Sequence, residues 1–403
     1  MKYSSVEKAI EAIARGEFVL VVDDEDRENE GDLIVAAEKA TPEHIAFMVR
    51  YTSGLICLPM TGDRLDELGL PLMVLENTDS HKTAFTVSID YAASTTTGIS
   101  AADRAATIRA ATNPLTTAHD FHRPGHIFPL RYQKGGVIVR RGHTEAAVDL
   151  ARLAGLYPAG VLCEVVSDDG SMARGPDLAE FAESHDVPIM TIDDLVNYRW
   201  RTEALVSRDA EATIPTEFGD FRVAGYRSLA SSSEHLALVF GEVAGKENVL
   251  TRVHSVCVTG DVFGSRRCDC GVQLHEAMRR IAAEGEGIIV YNPTHEGRGI
   301  GLVDKLAAYR LQEQGLDTVE ANAEMGHAAD NRHYGIDAQI LNDLKVSSVR
   351  LLTNNPDKIE QLTALGVDVT KREPLWVGEN GHNRFYLETK AVKLGHIVDE
   401  AGS

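Results

Sequence analysis

The chain has 403 residues, which favours two domains of about two hundred residues over one very large core. Its 61 acidic and 40 basic side chains give a net charge of −21, which argues against nucleic-acid binding. No stretch reaches the roughly 18 apolar residues of a membrane span. Five cysteines, and no apolar leader after Met1, indicate a reducing compartment. We therefore expect a cytoplasmic enzyme acting on small metabolites, with no membrane or nucleic-acid partner.

The first 32 residues predict a short helix, a buried strand and an acidic loop. Residues 4–15 carry apolar side chains at helical spacing, Gly16 ends the helix, and Phe18–Val22 is a continuous apolar run. The segment 23–32 then gathers seven carboxylates around Arg27. Such a run is most often a solvated loop, although clustered carboxylates also attract a hard cation such as Mg²⁺.

Three later stretches of the first half combine turn residues with polar groups. Arg123-Pro-Gly-His126 precedes an apolar strand, where a lone histidine is usually structural. Gly136–Val139 predicts a strand, and Arg140 with His143-Thr144 follows it at the start of a helix, an arrangement suited to phosphate. Glu164 lies inside an apolar strand, where a carboxylate needs a partner or has a raised pKa.

Together, the acidic loop, these two histidine motifs and Glu164 resemble 3,4-dihydroxy-2-butanone 4-phosphate synthase across nearly all of residues 1–200. The resemblance implies Mg²⁺ or Mn²⁺ held by Glu28 and His143, and chemistry carried by His126 and Glu164. The substrate would be ribulose 5-phosphate, with formate as a product. The residues that the resemblance implies for substrate contact are Arg27, Glu28, Asp32, Arg140, Thr144 and Glu164.

The polar segment 201–215 predicts a boundary between two domains, 1–200 and 201–403. Alternating and apolar runs continue beyond it, so we expect the α/β class in both domains. The expected architecture is a mixed sheet flanked by helices in each domain.

Three thiols follow within fourteen residues, at Cys257, Cys268 and Cys270. With no fourth cysteine to complete a tetrahedron, the spacing indicates an open zinc site, at which a bound water becomes a nucleophile near neutral pH. The alternative is a structural zinc with a fourth ligand from nearby, such as His254.

The second half of the chain resembles GTP cyclohydrolase II in the order and spacing of its motifs. These motifs are the thiols, Arg252–Cys257, the Cys268–Gln273 run, Glu296-Gly-Arg298-Gly-Ile-Gly and Thr353–Lys358. The two halves together resemble the bifunctional riboflavin biosynthesis enzymes. For catalysis, the resemblance implies Tyr309, Asp330 and Arg332, the last acting at the α-phosphate. For GTP binding, it implies Arg252, Val253, His254, Ser255, Gln273, Glu296, Gly297, Arg298, Thr318, Thr353 and Lys358.

The residues themselves support a weaker role for Arg332. An arginine beside a triphosphate normally stabilises charge rather than attacking, because its pKa exceeds about 12. The sequence also departs from the family pattern at Val256, His295 and His327, where an acidic residue, Gln and Phe are common.

The resemblance predicts a bifunctional enzyme with Mg²⁺ or Mn²⁺ in one half and Zn²⁺ in the other, and a homodimer. One domain would convert ribulose 5-phosphate to 3,4-dihydroxy-2-butanone 4-phosphate. The other would hydrolyse GTP to 2,5-diamino-6-(5-phosphoribosylamino)pyrimidin-4-one, formate and pyrophosphate. A zinc deaminase is a rival class, but its Pro-Cys-x-x-Cys motif is missing from the sequence. The non-enzymatic alternative is a metabolite- or GTP-sensing protein on impaired versions of the same folds.

Overall fold

The computed structural model describes residues 3–25 and 27–398, and the chain divides into two compact units, Met1–Arg199 and Trp200–Ser403. Each unit contains a mixed sheet of seven strands with helices beside it, which confirms the predicted fold class. Within the described ranges, none of the helices is both long and apolar enough to cross a membrane.

The first unit alternates short strands and helices. Its strands are β1 (Val19–Val22), β2 (Gly31–Ala36), β3 (Cys57–Met60), β4 (Ile89–Tyr91), β5 (Phe121–Arg131), β6 (Gly160–Glu164) and β7 (Ile189–Thr191). Its helices are α1 (Val6–Arg15), α2 (Pro42–Tyr51), α3 (Gly62–Glu67), α4 (Ala101–Thr112), α5 (His143–Leu153) and α6 (Pro176–Ser184), and α7 (Ile192–Thr202) follows β7.

The strand order of the first sheet is β4-β5-β3-β6-β2-β1-β7. Strands β1 and β7 are parallel, as are β3 and β5, whereas β2 runs antiparallel to both of its neighbours. The β2–β6 pairing sets Asp32 opposite Glu164. Because paired residues of adjacent strands project to the same face, this register places the two carboxylates side by side.

The predicted first helix and strand are confirmed. Ser5 caps α1 by accepting a hydrogen bond from the Lys8 amide, and Gly16 ends the helix with a φ of 82°. Glycine adopts this left-handed conformation without a steric penalty, so it is a natural helix terminator. All four residues of β1 are buried, as the apolar run predicted.

The prediction of a strand at Gly136–Val139 is wrong. Residues Gly136–Ile138 form one turn of 3₁₀ helix instead. Gly135 and Gly136 have φ values of 101° and 65°, and this pair of left-handed residues turns the chain where a strand would have to stay extended. The Val137 amide then donates to the buried Asp149 carboxylate at 2.9 Å rather than to a neighbouring strand.

The second unit has a longer series of elements. Its strands are β8 (Val206–Thr216), β9 (Gly219–Ser228), β10 (Glu234–Phe240), β11 (Val249–Ser255), β12 (Gly287–Asn292), β13 (Val349–Leu352) and β14 (Val369–Glu373). Its helices are α8 (Val258–Asp261), α9 (Cys270–Glu284), α10 (Leu302–Glu313), α11 (Thr318–Glu324), α12 (Gly335–Asp343), α13 (Pro356–Ala364) and α14 (Arg384–Lys393).

The second sheet has the order β14-β13-β11-β12-β10-β9-β8. Strands β14, β13, β11 and β12 are mutually parallel, and the remaining pairs are antiparallel. The parallel strands β11, β12 and β13 therefore end at one edge of the sheet. The segments that begin with Cys257, Pro293 and Thr353 leave from that edge, the usual place for a ligand site in such sheets.

The polar segment 201–215 is not simply a linker. Most of it belongs to β8, which pairs with β9 along its whole length at the edge of the sheet. Most side chains of β8 are exposed, and cross-strand charge pairs such as Arg222 with Glu211, 3.6 Å apart, are favourable there. An edge strand exposed on both faces therefore has the composition of a linker.

Candidate active sites

Asp23, Glu28 and His143 form a group of potential metal ligands in the first unit, with one ligand atom of each within 4.8 Å of the others. Glu28 and His143 are the predicted ligands; Asp23 was not predicted separately from its acidic run. Arg27 lies between the carboxylates, with Nη1 2.7 Å from Asp23 Oδ2 and Nη2 2.8 Å from Glu28 Oε1. Asp23, Arg27 and Glu28 therefore form an ion-paired cluster.

The ring orientation of His143 suits a metal ligand. Its Nε2 lies 3.2 Å from the carbonyl oxygen of Val21, and because a carbonyl only accepts, Nε2 carries the proton. The other nitrogen, Nδ1, is left with a free lone pair. Burial lowers the pKa of His143 to about 4, so the imidazole is neutral, the form that binds metal ions.

Asp32 and Glu164 add negative charge next to this group. Asp32 is 3% exposed, and its Oδ1 lies 3.8 Å from His143 Nδ1. Burial, and then repulsion from the Glu164 and Glu28 carboxylates, raises the pKa of Asp32 well above its usual range. A divalent cation would relieve that repulsion, so the donor set fits a hard metal ion.

Arg140 and Thr144 lie at the start of α5, next to His143. Arg140 donates from Nη1 to the buried Glu145 carboxylate at 2.5 Å, and from Nη2 to the His81 carbonyl at 3.1 Å. Its side chain is 23% exposed, whereas the Thr144 residue is 5% exposed. Arg140 is therefore held by two hydrogen bonds while part of its side chain stays accessible.

His126 lies within β5 and pairs with Asp90, which the sequence did not point to. Its Nδ1 is 2.7 Å from Asp90 Oδ2, and its backbone amide donates to Asp90 Oδ1 at 3.0 Å. The imidazole remains 41% exposed. A Cβ atom on Gly98 would lie 2.1 Å from Asp90 Oδ2, so the backbone at Gly98 packs directly on this pair.

The three thiols of the second unit converge. The Cys257 and Cys268 sulfurs are 3.5 Å apart, and all three sulfurs lie within 4.8 Å of one another. Tetrahedral Zn–S bonds of about 2.3 Å need sulfurs about 3.8 Å apart, so the spacing fits zinc. A Cβ atom on Gly260 would lie 2.9 Å from the Cys268 sulfur, so only glycine leaves room for this cluster.

His254, the alternative fourth ligand, is not part of the thiol group. Its Nε2 lies 3.1 Å from Asp261 Oδ2, and its ring stacks on Tyr291. Over residues 3–25 and 27–398, the group of potential ligands here consists of the three thiols alone. This composition favours an open site over a closed structural one.

Lys305 provides a positive charge beside the thiols, and no sequence motif predicted it. Its Nζ lies 3.0 Å from the Cys257 sulfur and 2.5 Å from Glu296 Oε1. Hydrogen bonds from the Cys268 and Cys270 thiols, assisted by the Lys305 ammonium, lower the pKa of Cys257 well below its usual range. A thiolate, which is the metal-binding form, is therefore favoured at Cys257.

A cavity opens above these thiols and collects most residues of the predicted GTP site. The predicted residues that line it are Arg252, His254, Ser255, Cys257, Cys268, Cys270, Gln273, Gly297, Arg298, Tyr309, Thr318, Arg332, Thr353 and Lys358. These residues come from segments more than one hundred positions apart. Their convergence follows from the parallel strands that end at one edge of the sheet.

Three predicted residues of the second unit do not line this cavity, namely Val253, Glu296 and Asp330. The Val253 side chain is in the core, and its carbonyl accepts a hydrogen bond from Lys358 Nζ at 2.7 Å. Glu296 accepts from the Val258 amide at 2.8 Å in addition to its contact with Lys305. Asp330 lies behind Arg332, with Arg332 Nε 2.8 Å from its Oδ1.

The helix α14 and the residues after it complete the cavity wall with Tyr386, Lys390 and His396. Lys390 Nζ donates to Asp269 Oδ1 at 2.8 Å, and Asp269 lies between two of the thiols. No motif marks these residues, because α14 has exposed apolar and basic side chains without a clear amphipathic pattern.

Two mixed α/β units, each with its own cluster of potential metal ligands, indicate an enzyme with two active sites. The family model for 3,4-dihydroxy-2-butanone 4-phosphate synthase matches residues 7–198, and that for GTP cyclohydrolase II matches residues 207–374. The chain belongs to the family of riboflavin biosynthesis proteins that join these two enzymes. Both predicted enzyme classes, a lyase and a hydrolase, are confirmed, and the sensor alternative is not favoured.

Similar proteins span the whole chain. Riboflavin biosynthesis protein RibBA of Bacillus mycoides (strain KBAB4) is 55% identical over 397 residues, 98% of this chain and 100% of the relative. The protein of the same name from Mycobacterium avium (strain 104) is 56% identical over 401 residues, 98% of this chain and 94% of the relative. Among solved structures, RibBX, a two domain 3,4-dihydroxy-2-butanone 4-phosphate synthase from A. baumannii, is 38% identical with a TM-score of 0.72. That alignment covers 93% of this chain and all of RibBX.

Proposed function

We propose that the first unit converts ribulose 5-phosphate to 3,4-dihydroxy-2-butanone 4-phosphate and formate. The second unit would hydrolyse GTP to 2,5-diamino-6-(5-phosphoribosylamino)pyrimidin-4-one, formate and pyrophosphate. The observation that carries this division is that each unit has a separate cluster of reactive side chains within the residues matched by one family model. The proposed domain boundary, between 1–200 and 201–403, follows from the same division.

In the first unit, Glu28 and His143 would hold Mg²⁺ or Mn²⁺, with Asp23 as a further ligand. The neutral His143 ring with its free Nδ1 supports this assignment, as does the clustering of carboxylates that raises the pKa of Asp32. When bound, the metal would supply a Lewis acid that polarises the carbonyl of the ketose.

The remaining residues of this site would bind the sugar phosphate and move protons. Arg27 and Arg140 are cations suited to phosphate or substrate oxygens, and Thr144 adds a hydroxyl at the start of α5. Because the Asp90 carboxylate only accepts hydrogen bonds, it keeps the proton of His126 on Nδ1 and leaves Nε2 free to act as a base. Asp32, whose pKa is raised by burial and by the Glu164 carboxylate, is a carboxyl that can hold a second proton, and Glu164 lies opposite it on β6 as the proposed catalytic carboxylate.

In the second unit, Cys257, Cys268 and Cys270 would hold Zn²⁺. When bound, zinc would supply a Lewis acid that makes water a competent nucleophile toward C8 of the guanine ring. Two residues of the chain would keep the thiols close together and charged. Gly260 leaves room for the sulfurs because it has no Cβ atom, and the Lys305 ammonium favours the thiolate form of Cys257. Tyr309, whose hydroxyl lies 3.2 Å from that of Thr259, lines the cavity on the same side.

The triphosphate would lie against the basic part of the cavity wall, which includes Arg298, Arg332 and Lys358. Arg332, paired with Asp330, would act at the α-phosphate as pyrophosphate leaves. Arg252, His254, Ser255, Gln273, Thr318 and Thr353 would bind the rest of the nucleotide. Val253 would contribute to the GTP site through its carbonyl oxygen, which accepts a hydrogen bond from Lys358. Glu296 would contribute through its hydrogen bond from Lys305.

Formate release from each substrate tests this assignment in the intact protein. The parent should release formate from both ribulose 5-phosphate and GTP. Glu28→Gln or His143→Ala should abolish release from the ketose at limiting Mg²⁺ and leave GTP turnover intact, and Cys268→Ser should do the reverse. If one of these variants abolished both activities while remaining folded, the division between units would be wrong. Light scattering on the same samples tests the proposed homodimer, and cell fractionation tests the proposed cytoplasmic location.

A further inference from the structure

The guanidinium of Arg332 is held at two edges. On one edge, Nε lies 2.8 Å from Asp330 Oδ1, and on the other, Nη1 lies 3.2 Å from the hydroxyl oxygen of Ser255. The pairing with Asp330 is between adjacent parts of one loop. The contact with Ser255 joins that loop to the end of β11 and therefore fixes Arg332 relative to the sheet.

His295 determines what the Ser255 hydroxyl can do. Its Nε2 lies 3.1 Å from the carbonyl oxygen of His333, and its Nδ1 lies 3.2 Å from the Ser255 hydroxyl oxygen. A carbonyl only accepts, so Nε2 carries the proton and Nδ1 is an acceptor. The hydroxyl of Ser255 must therefore donate to His295, which leaves its lone pairs directed at the Arg332 guanidinium.

The Asn292 amide does not override this tautomer. Its Nδ2 lies 3.3 Å from His295 Nε2, farther than the His333 carbonyl at 3.1 Å, and one of its two protons goes to Asp337 Oδ2 at 2.9 Å. The His295 residue is 4% exposed, and its ring packs edge-on against Tyr334. Burial, and next the charge of Arg332, lower the pKa of His295 well below its usual range, so the ring is neutral.

We propose that His295 is a positioning residue for the GTP reaction: by accepting the Ser255 hydroxyl proton, it orients the serine oxygen that fixes the Arg332 guanidinium. This inference rests on the proposed role of Arg332 at the triphosphate. Without the acceptor at His295, the Ser255 hydroxyl is free to rotate, and Nη1 of Arg332 loses a defined partner. Since misplacement of a reacting group by about 1 Å can cost about 100-fold in rate, the effect should appear in kcat.

Substitutions at His295 separate hydrogen bonding from packing. Glutamine also offers one acceptor and one donor, so His295→Gln should keep pyrophosphate release within a few-fold of the parent. Leucine offers neither, so His295→Leu should lower kcat by roughly 10- to 100-fold with little change in the KM for GTP. Ser255→Ala should cause a similar loss. The double variant His295→Leu/Ser255→Ala should be no slower than the worse single variant, because both changes remove one chain of bonds.

His235→Leu is the matched control. His235 is 1% exposed, and the Ser233 hydroxyl lies 2.9 Å from its Nε2, but it does not line the cavity. This variant should lose stability as His295→Leu does and yet keep the parent rate. Zinc content, thermal unfolding and ketose activity, measured on every sample, establish that each protein is folded and loaded.

Three results would overturn the proposal. These are a His295→Leu rate within threefold of the parent, a His295→Gln rate as low as that of the leucine variant, and losses that multiply in the double variant. If His295→Leu does not fold, the comparison of Ser255→Ala with His295→Gln decides the matter in the same way. Arg332→Lys is the reference variant. If Arg332→Lys keeps its rate of pyrophosphate release, the proposed function of Arg332 is wrong. If Arg332→Lys loses that rate while the His295 variants keep it, only the positioning role of His295 is rejected.

Discussion

Asp90 Oδ2 lies 2.7 Å from His126 Nδ1, and the other oxygen of the same carboxylate accepts the His126 backbone amide at 3.0 Å. One carboxylate therefore fixes both the ring and the main chain of the histidine. Gly125 makes this approach possible, because a Cβ atom there would lie 2.0 Å from the backbone carbon of Ile89. The His126 side chain nevertheless remains 41% exposed.

Asp90→Asn should therefore lower formate release from ribulose 5-phosphate by about 100-fold or more, the scale of general acid–base catalysis. Asparagine can offer its amide group to Nδ1 and so place the proton on the wrong nitrogen. GTP turnover by the same protein is the internal control and should not change. Ketose activity within a few-fold of the parent would mean that His126 does not act as a base through Nε2.

Asp23→Asn tests the third potential metal ligand. Asp23 lies with Glu28 and His143 in one group of ligand atoms, so removing its charge should raise the Mg²⁺ concentration needed for half-maximal ketose activity by about tenfold. The control is Glu25→Gln, an exposed residue of the same loop, which should not alter that concentration. An equal response of the two variants would show that general loop charge, rather than ligation, controls metal binding.

Residues of the candidate sites that lie in compact motifs could be predicted from the sequence. The three thiols, Arg298 and Lys358 follow the ends of parallel strands, and such ends meet at one edge of a sheet. Local patterns also located α1 correctly. The prediction failed at Gly136–Ile138, where two left-handed glycines override an apolar run that looks like a strand.

Partners that are distant in sequence could not be predicted. Asp90 is 36 residues from His126, and Lys390 is 121 residues from Asp269, with no motif around either residue. Lys305 lies on a helix whose other side chains have no strong apolar face, so its burial beside a thiol has no signature in the sequence. These contacts depend on tertiary packing, and the spacing of residues along one strand or helix does not predict tertiary packing.

Asp337→Asn should change how stability depends on pH. Burial raises the pKa of Asp337 from its usual value near 3.8 to about 7, with the Asn292 amide and the Lys358 charge opposing the shift. The folded state therefore binds the Asp337 proton more tightly than the unfolded state does. The stability that this proton contributes is fully present below about pH 4 and is lost as pH rises toward 7. Asparagine is neutral throughout, so the variant should gain about 1–3 kcal/mol relative to the parent between pH 5 and 8.

Tryptophan fluorescence follows unfolding of the second unit mainly through Trp376, since the other tryptophan, Trp200, lies in α7, which begins in the first unit. Urea unfolding of parent and variant at the two pH values gives the difference directly. The other charged groups near Asp337, including Lys358 and Arg332, are common to both proteins. A stability difference that is the same at pH 5 and pH 8 would show that Asp337 does not titrate in this range.

Lys390 links α14 to the loop that carries the thiols. Lys390 Nζ donates to Asp269 Oδ1 at 2.8 Å, while Gln273 Nε2 donates to the other oxygen at 2.6 Å. Asp269 is 2% exposed and Lys390 is 8% exposed. Removing the lysine leaves a buried carboxylate without its cation, which typically costs about 3–5 kcal/mol. Lys390→Met should therefore destabilise the second unit by that amount and weaken zinc retention, because Asp269 lies between two of the thiols.

Lys393→Met, one helical turn further along α14, provides the matched control. Lys393 pairs with Asp317 and Glu320, but its side chain is 40% exposed, so its loss should cost less than about 1 kcal/mol. Urea unfolding followed by tryptophan fluorescence, zinc content after dialysis against a weak chelator, and formate release from GTP compare the two variants. We expect all three to fall in Lys390→Met and to stay near the parent in Lys393→Met. If both variants lost stability equally and kept their zinc, α14 would contribute only general packing, and the ion pair of Lys390 with Asp269 would have no part in holding the thiol loop.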